Sequence, residues 1–113
     1  MSRHNAGWRE VSRAAPLFSA LGDETRLALV ARLSSDGPLS ITRLTAGSAI
    51  SRQAVTRHLN VLATAGLVSD LRRGRERIWE LEPDQMEAAR TYLEHVSKRW
   101  GDALDRLKQF VEE

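Results

Sequence analysis

Ser51-Arg52-Gln53-Ala54-Val55-Thr56-Arg57-His58-Leu59-Asn60-Val61-Leu62-Ala63-Thr64-Ala65-Gly66-Leu67-Val68 has the punctuation of one helix followed by the start of a strand. Ser51 suits an N-cap, because its side-chain oxygen accepts from a free amide of the first turn. Gly66 suits the position after a helix, where a left-handed backbone costs glycine little. Val55, Leu59 and Leu62 fall at i, i+4 and i+7, so one stripe is apolar. Arg52, Gln53, Thr56, Arg57 and Asn60 fall opposite, with no acid among them. Taken alone, such a face also serves a plain solvated helix. Its side chains are nevertheless the types that read base edges and phosphates, and Arg52 and Gln53 in the first turn are placed to reach bases. His58, near the inner side, reads as a packed histidine donating to a backbone group.

Upstream, Pro16 suits a first helical turn, with Leu17, Phe18 and Leu21 following at apolar spacing until Gly22. Asp23 caps a second helix with Leu27, Val30, Ala31 and Leu33 inward, ended by Ser34-Ser35-Asp36-Gly37-Pro38. Ser40 starts a short third helix, Ile41 to Ala46, with Ile41 and Leu44, joined by Thr45, inward. Gly47-Ser48-Ala49-Ile50 then turns the chain into the helix at 51–66. Two helices joined by a short Gly-containing turn, the second polar on its outer side, match helix-turn-helix geometry.

Downstream, the period changes to two. Leu67 to Arg72 and Arg75 to Leu81 read as strands joined at Arg73-Gly74. That register opposes Arg72 to Arg75, Asp70 to Arg77 and Val68 to Trp79. It gathers Arg72, Arg73 and Arg75 at a hairpin tip, a poor arrangement for stability and a good one for touching phosphates or a minor groove. Charged edges also discourage aggregation. Pro83 opens a last helix reaching about Val111. Met86, Leu93, Trp100 and Leu107 are spaced by seven, and Ala89, Val96, Ala103 and Phe110 form a second set offset by three. Leu93, Val96, Trp100, Ala103, Leu107 and Phe110 are therefore the residues offered to a second copy of the helix, since a small core cannot cover so long an apolar stripe.

Size and charge set the bounds. A chain of 113 residues with 42% apolar content supports one compact core, mainly α with a small β-hairpin. It divides into a polar lead-in or short helix at 1–14, a core at 15–82 and a final helix at 83–113. Neither a membrane span nor a signal-peptide core is present in the sequence, and the absence of cysteine fits a reducing cytosol. Net charge is +2, unevenly spread: residues 43–77 carry +5 and residues 78–113 carry −4. The positive field sits on the segment with the polar helix, as a polyanion-binding site requires. No Gly-rich phosphate loop and no Ser/His/Asp or Cys/His set points to an enzyme.

Leu21-Gly22-Asp23-Glu24-Thr25-Arg26-Leu27, then Val55-Thr56-Arg57-His58-Leu59-Asn60-Val61-Leu62 and Ala65-Gly66-Leu67-Val68, resembles the ArsR/SmtB family of bacterial winged-helix repressors over about residues 15–82. The last helix, with Arg99-Trp100 and Leu104-Asp105-Arg106-Leu107, is similar to the branch of that family lacking metal sites. The resemblance implies a winged helix-turn-helix homodimer held by its first and last helices, which adds Leu17 and Phe18 to the interface. It also implies a double-stranded operator contacted by Ser51, Arg52, Gln53, Thr56, Arg57 and Asn60, with wing residues Arg72, Arg73 and Arg75 on flanking DNA.

The family's metal sensors carry cysteines near positions 41–46, or an Asp/His pair with a later His-x-x-His or His-x-x-Glu on the last helix. This chain has Ile41-Thr42-Arg43-Leu44-Thr45-Ala46, and His95 is followed three residues on by Lys98. Asp84 and Glu87 with one histidine make a poor zinc site. No metal and no cofactor are expected, and any effector is of unknown chemistry. His95 beside Glu94 could make an interface pH-sensitive, against the plainer reading of an exposed helix residue. A metal sensor with a non-standard site and a winged-helix module for protein partners are the alternative readings.

Overall fold

Helix α4 (Arg52–Thr64) is the element on which the others pack. The computed structural model describes the backbone of residues 3–112, with side chains from Gly7 to Glu112. Met1 and Ser2 of the expected lead-in, and Glu113 of the last helix, lie outside the described residues. Ser51 caps α4 as its position requires: its Oγ accepts from the Ala54 N–H at 3.1 Å. The far end closes in a Schellman motif, with Leu67 N–H donating to Leu62 O (3.0 Å) and Gly66 N–H to Ala63 O (2.9 Å). Gly66 takes a φ of +79° there, and a Cβ on it would stand 3.1 Å from the Gln85 side chain. Between the caps, Val55, Leu59 and Leu62 are 1%, 0% and 0% exposed. Each buried side chain of this kind contributes about 1.5–3 kcal/mol.

Three further helices surround α4: α1 (Arg3–Leu21), α2 (Glu24–Asp36) and α3 (Ile41–Thr45). They bring Leu17 and Ala20, Leu29, Val30 and Leu33, and Ile41 and Leu44 into one core with Leu67, Val68, Trp79 and Ala89. Helix α1 runs unbroken through Pro16, which the sequence places in a first turn. The ring removes one amide donor but not the helical φ, so the helix continues on both sides. The boundary drawn at residue 14 therefore falls inside a helix. In α2 the inner face is Leu29, Val30 and Leu33, while Leu27 is 54% exposed and Ala31 is exposed. Residues 27–31 are apolar throughout, so periodicity left two adjacent stripes available, and packing chose the second.

The sheet has three strands, not two. A two-residue strand β1 (Leu39–Ser40) pairs antiparallel with β3 (Glu76–Leu81), which also pairs with β2 (Val68–Arg73), in the order β1-β3-β2. Two residues carry no readable alternation, which is why β1 is invisible in the sequence. Ser40 serves twice, as a strand residue and as the N-cap of α3, accepting from Arg43 N–H at 3.2 Å. The hairpin register also differs from the expected one. Arg73 opposes Glu76, Arg72 opposes Arg77, Asp70 opposes Trp79 and Val68 opposes Leu81. The turn is Gly74-Arg75, with positive φ at Gly74 (+62°) and, among the described residues, at no non-glycine. Glycine as the first central residue needs only one positive φ, as in a II′ turn, whereas Arg73-Gly74 as a I′ turn would have forced Arg73 there as well. The shift puts Arg73 opposite Glu76 at the tip and moves the like-charge pairing to Arg72 and Arg77, where Arg77 is tied to Asp70.

Helix α5 (Pro83–Glu112) is 30 residues, about 45 Å at the usual rise. Its apolar stripe is divided. Ala89 is buried, Met86 packs against the core, and Tyr92 lies 5.6 Å from the Phe18 ring at a tilt of 49°. Beyond Val96 every residue through Glu112 is exposed.

Asp23 caps α2, its Oδ2 accepting from Arg26 N–H at 3.1 Å. That bond first, then the positive charge of Arg26, holds the carboxyl below the usual Asp range despite some desolvation. A depressed folded-state pKa gives a stabilisation complete at neutral pH and lost as pH falls through the acidic range. Asp23→Ala should lower the thermal midpoint at neutral pH, and Asp23→Asn, which keeps an acceptor but cannot ionise, should flatten the acid limb of midpoint against pH. Two glycines should respond with opposite signs in denaturant titrations. Gly66→Ala should cost on the order of 1–2 kcal/mol from its positive φ. Gly101→Ala, at an open helical position of α5, should gain roughly 0.5–1 kcal/mol.

Candidate nucleic-acid interface

Burial of Val55, Leu59 and Leu62 turns the opposite side of α4 to solvent. Arg52, Gln53, Thr56, Arg57 and Asn60 line one shallow concavity there, with all but the half-buried Thr56 exposed. Among the described residues, neither Arg52 nor Arg57 has a carboxylate oxygen within 4.0 Å. Their charge is available to a ligand. Ser51 at the helix entrance is exposed, and its Oγ lone pair is spent on the cap while its hydroxyl hydrogen is left to donate. The turn from α3 is held by Ser48 N–H donating to Thr45 O at 2.9 Å and Ile50 N–H to Ser48 Oγ at 3.2 Å.

The hairpin follows α4 in the chain, with β2 packed against that helix. Residues 70–76 are all exposed, so Arg72, Arg73 and Arg75 lie at a free tip. Arg77 is differently employed. Its Nε donates to Asp70 Oδ2 at 2.8 Å and its guanidinium carbon stands 4.8 Å from the Trp79 ring centre. Asp70 and Arg77, expected as direct partners, meet diagonally instead, and together with buried Trp79 they stiffen the base of the hairpin.

His58 does not donate to a backbone group. Its Nδ1 lies 3.3 Å from Arg26 Nη1 and 3.7 Å from Asp23 Oδ2. His95 likewise finds its partner elsewhere: Glu10 on α1, with Nδ1 and Oε1 at 2.8 Å, while Glu94 pairs with Arg90 at 3.1 Å. A groove between α1 and α5, lined by Arg9, Glu10, Arg13, Gln85, Tyr92 and His95 among others, is larger than the concavity on α4 and lacked any sequence signal, because its walls are far apart in the chain. No group of three or more His, Asp or Glu side chains placed to hold a metal occurs among the described residues.

The residues proposed for a dimer interface fare unequally. Leu93, Trp100, Leu107 and Phe110 are 52%, 69%, 57% and 77% exposed, joined by Leu104 and Val111, and Ala103 is also exposed. Val96 and Phe18 are half-buried. Leu17 is 4% exposed within the chain's own core, so it is not available to a second copy.

A helix-turn-helix domain family matches residues 21–70. The HTH-type transcriptional regulator Rv2034 of Mycobacterium tuberculosis is 40% identical over 95 residues, 84% of this chain and 85% of that protein. Among solved structures, an ArsR-like transcriptional regulator from Rhodococcus sp. RHA1 superposes with a TM-score of 0.69 at 31% identity, covering 88% of this chain and 92% of that one. The homodimeric winged helix-turn-helix DNA-binding domain Mb0332 of Mycobacterium bovis shares the fold, with a TM-score of 0.62 at 20% identity over 94% of this chain and 93% of its own. The capped helix with its charged face, the Arg-tipped wing and these relatives agree: the chain belongs to the ArsR/SmtB family of winged helix-turn-helix transcriptional regulators.

Proposed function

We propose that this regulator is a cytoplasmic homodimeric repressor that binds an inverted repeat in duplex DNA and controls its own gene. The observation that carries the reading is the carboxylate-free outer face of α4 together with the arginine-tipped hairpin. In this reading α4 enters the major groove with Arg52 and Gln53 on base edges, and Thr56, Arg57 and Asn60 complete the contact. Arg72, Arg73 and Arg75 lie on flanking phosphates, and Ser51 donates to the backbone. A second copy covers the exposed stripe of α5, Leu93 to Phe110, with Phe18 and Val96 at its margin. Two α4 helices then stand about one helical turn, roughly 10 base pairs, apart. Repression follows from occupying promoter DNA that polymerase needs, and the effector that would release it is unknown.

Base contacts and phosphate contacts leave different signatures. Arg52→Ala or Gln53→Ala should reduce the preference for operator over unrelated duplex by on the order of 1–3 kcal/mol per bidentate contact. Arg73→Ala with Arg75→Ala should weaken all duplexes alike and lower the log–log salt slope by about 0.9 for each phosphate no longer neutralised. Intact operator binding after substituting 52, 53, 56 and 57 together would rule out α4 as the reader, and a salt-insensitive wild type would favour a protein partner. Leu93→Glu with Trp100→Glu should give monomers in analytical ultracentrifugation that bind the operator poorly. A tight dimer after that change would remove α5 from the interface.

A further inference from the structure

We infer that Arg26 and His58 are positioning residues that set the rotation of α4 about its own axis for DNA reading, an inference that rests on the assignment of α4 as the reading helix. Arg26, the third residue of α2, joins three helices with one half-buried side chain. Its Nε donates to Ala20 O at 2.5 Å and its Nη2 reaches Ser19 O at 3.5 Å, so the guanidinium sits on the carbonyl end of α1. A cation there also complements the negative end of the helix dipole. Its Nη1 stands 3.3 Å from His58 Nδ1 on α4. A guanidinium only donates, so Nδ1 accepts and the neutral ring carries its proton on Nε2. The other charged group facing the ring is Asp23, whose Oδ2 at 3.7 Å is beyond hydrogen-bonding distance of Nδ1 and is itself tied to Arg26 N–H.

The position of His58 gives this hydrogen bond its consequence. It follows Arg57 directly and lies two residues from Thr56 and Asn60, at the boundary between the apolar stripe and the outer face. Apolar packing of Val55, Leu59 and Leu62 fixes the depth of α4, but dispersion and burial are non-directional and hold its rotation loosely. A rotation of about 10° moves groups some 5–6 Å from the helix axis by about 1 Å. Bidentate base contacts do not survive that, since donor–acceptor distances fall within a few tenths of an ångström. A directional hydrogen bond from Arg26, itself anchored on α1, removes this freedom. The far end of α4 is tied separately, by Gln85 Nε2 donating to Ala65 O at 3.3 Å, so the helix stays attached without the His58 bond.

The experiment uses the full chain, with a duplex selected by the wild-type protein from a random-sequence pool and a scrambled duplex of equal length. His58→Ala should lower the selected-over-scrambled preference about tenfold, with the scrambled affinity and salt slope unchanged. His58→Asn offers an acceptor oxygen near the place of Nδ1 and should restore the preference to within about threefold. Arg26→Ala, which also releases its hold on Ala20 O and Ser19 O, should lose at least as much preference as His58→Ala, and the double substitution should be no worse than Arg26→Ala alone, because the His58 hydrogen bond is already gone there. A preserved preference in His58→Ala, an Asn variant as impaired as the Ala variant while equally folded by circular dichroism, or additive losses in the double variant would each overturn the inference. Should His58→Ala fail to fold, the Asn variant decides: a wild-type preference supports the inference and its absence overturns it. A wild type with no preference for its selected duplex would instead remove the reading-helix assignment, and this inference with it.

Discussion

Everything in this molecule depends on the burial of one side of α4. Val55, Leu59 and Leu62 are sealed beneath Trp79, Leu67 and the residues of α2 and α3, and the energy of that burial determines which way the helix faces. The charged side is outward as a consequence. Among the described residues its arginines are left without acidic neighbours, so their charge is uncompensated where a polyanion would approach. Function here is the exposed complement of a packing constraint.

Two other elements extend the same logic. In the hairpin, Trp79 and Val68 anchor the base to the core while Asp70 and Arg77 lock the strands together, so the tip needs no burial and can consist of arginines and a glycine. In α5, one continuous helix has two parts. Its first turns complete the monomer core through Met86 and Ala89, and its last four turns present Trp100, Leu104, Leu107, Phe110 and Val111 to solvent. An apolar stripe of that length on a small regulator is stable in water only when covered.

The fold is legible in the sequence wherever the physics is local. N-caps at Asp23, Ser40 and Ser51 act within three residues, and each is observed with its side chain accepting from the expected amide. The outer face of α4 follows from a period of 3.6 and needs no knowledge of its neighbours. The inner face of α2 differs from expectation because a run of apolar residues has no phase. The hairpin register differs because Arg73-Gly74 and Gly74-Arg75 are both plausible turns until φ is assigned to each residue. Leu17 is placed at an interface by family likeness, and the chain's own core claims it.

The sequence by itself determined the helices, their caps, the polar face of α4 and the concentration of arginine around it, because hydrogen bonds within one turn and burial periodicity are written in consecutive residues. Only the tertiary structure decided which side chains meet across the chain. The pairing of Arg26 with His58 spans 32 residues and that of Glu10 with His95 spans 85, while β1 exists solely because β3 is there to pair with it. Such contacts form between groups that no local rule brings together. They arise when the buried stripe of α4 draws α1, α2 and the sheet onto one core.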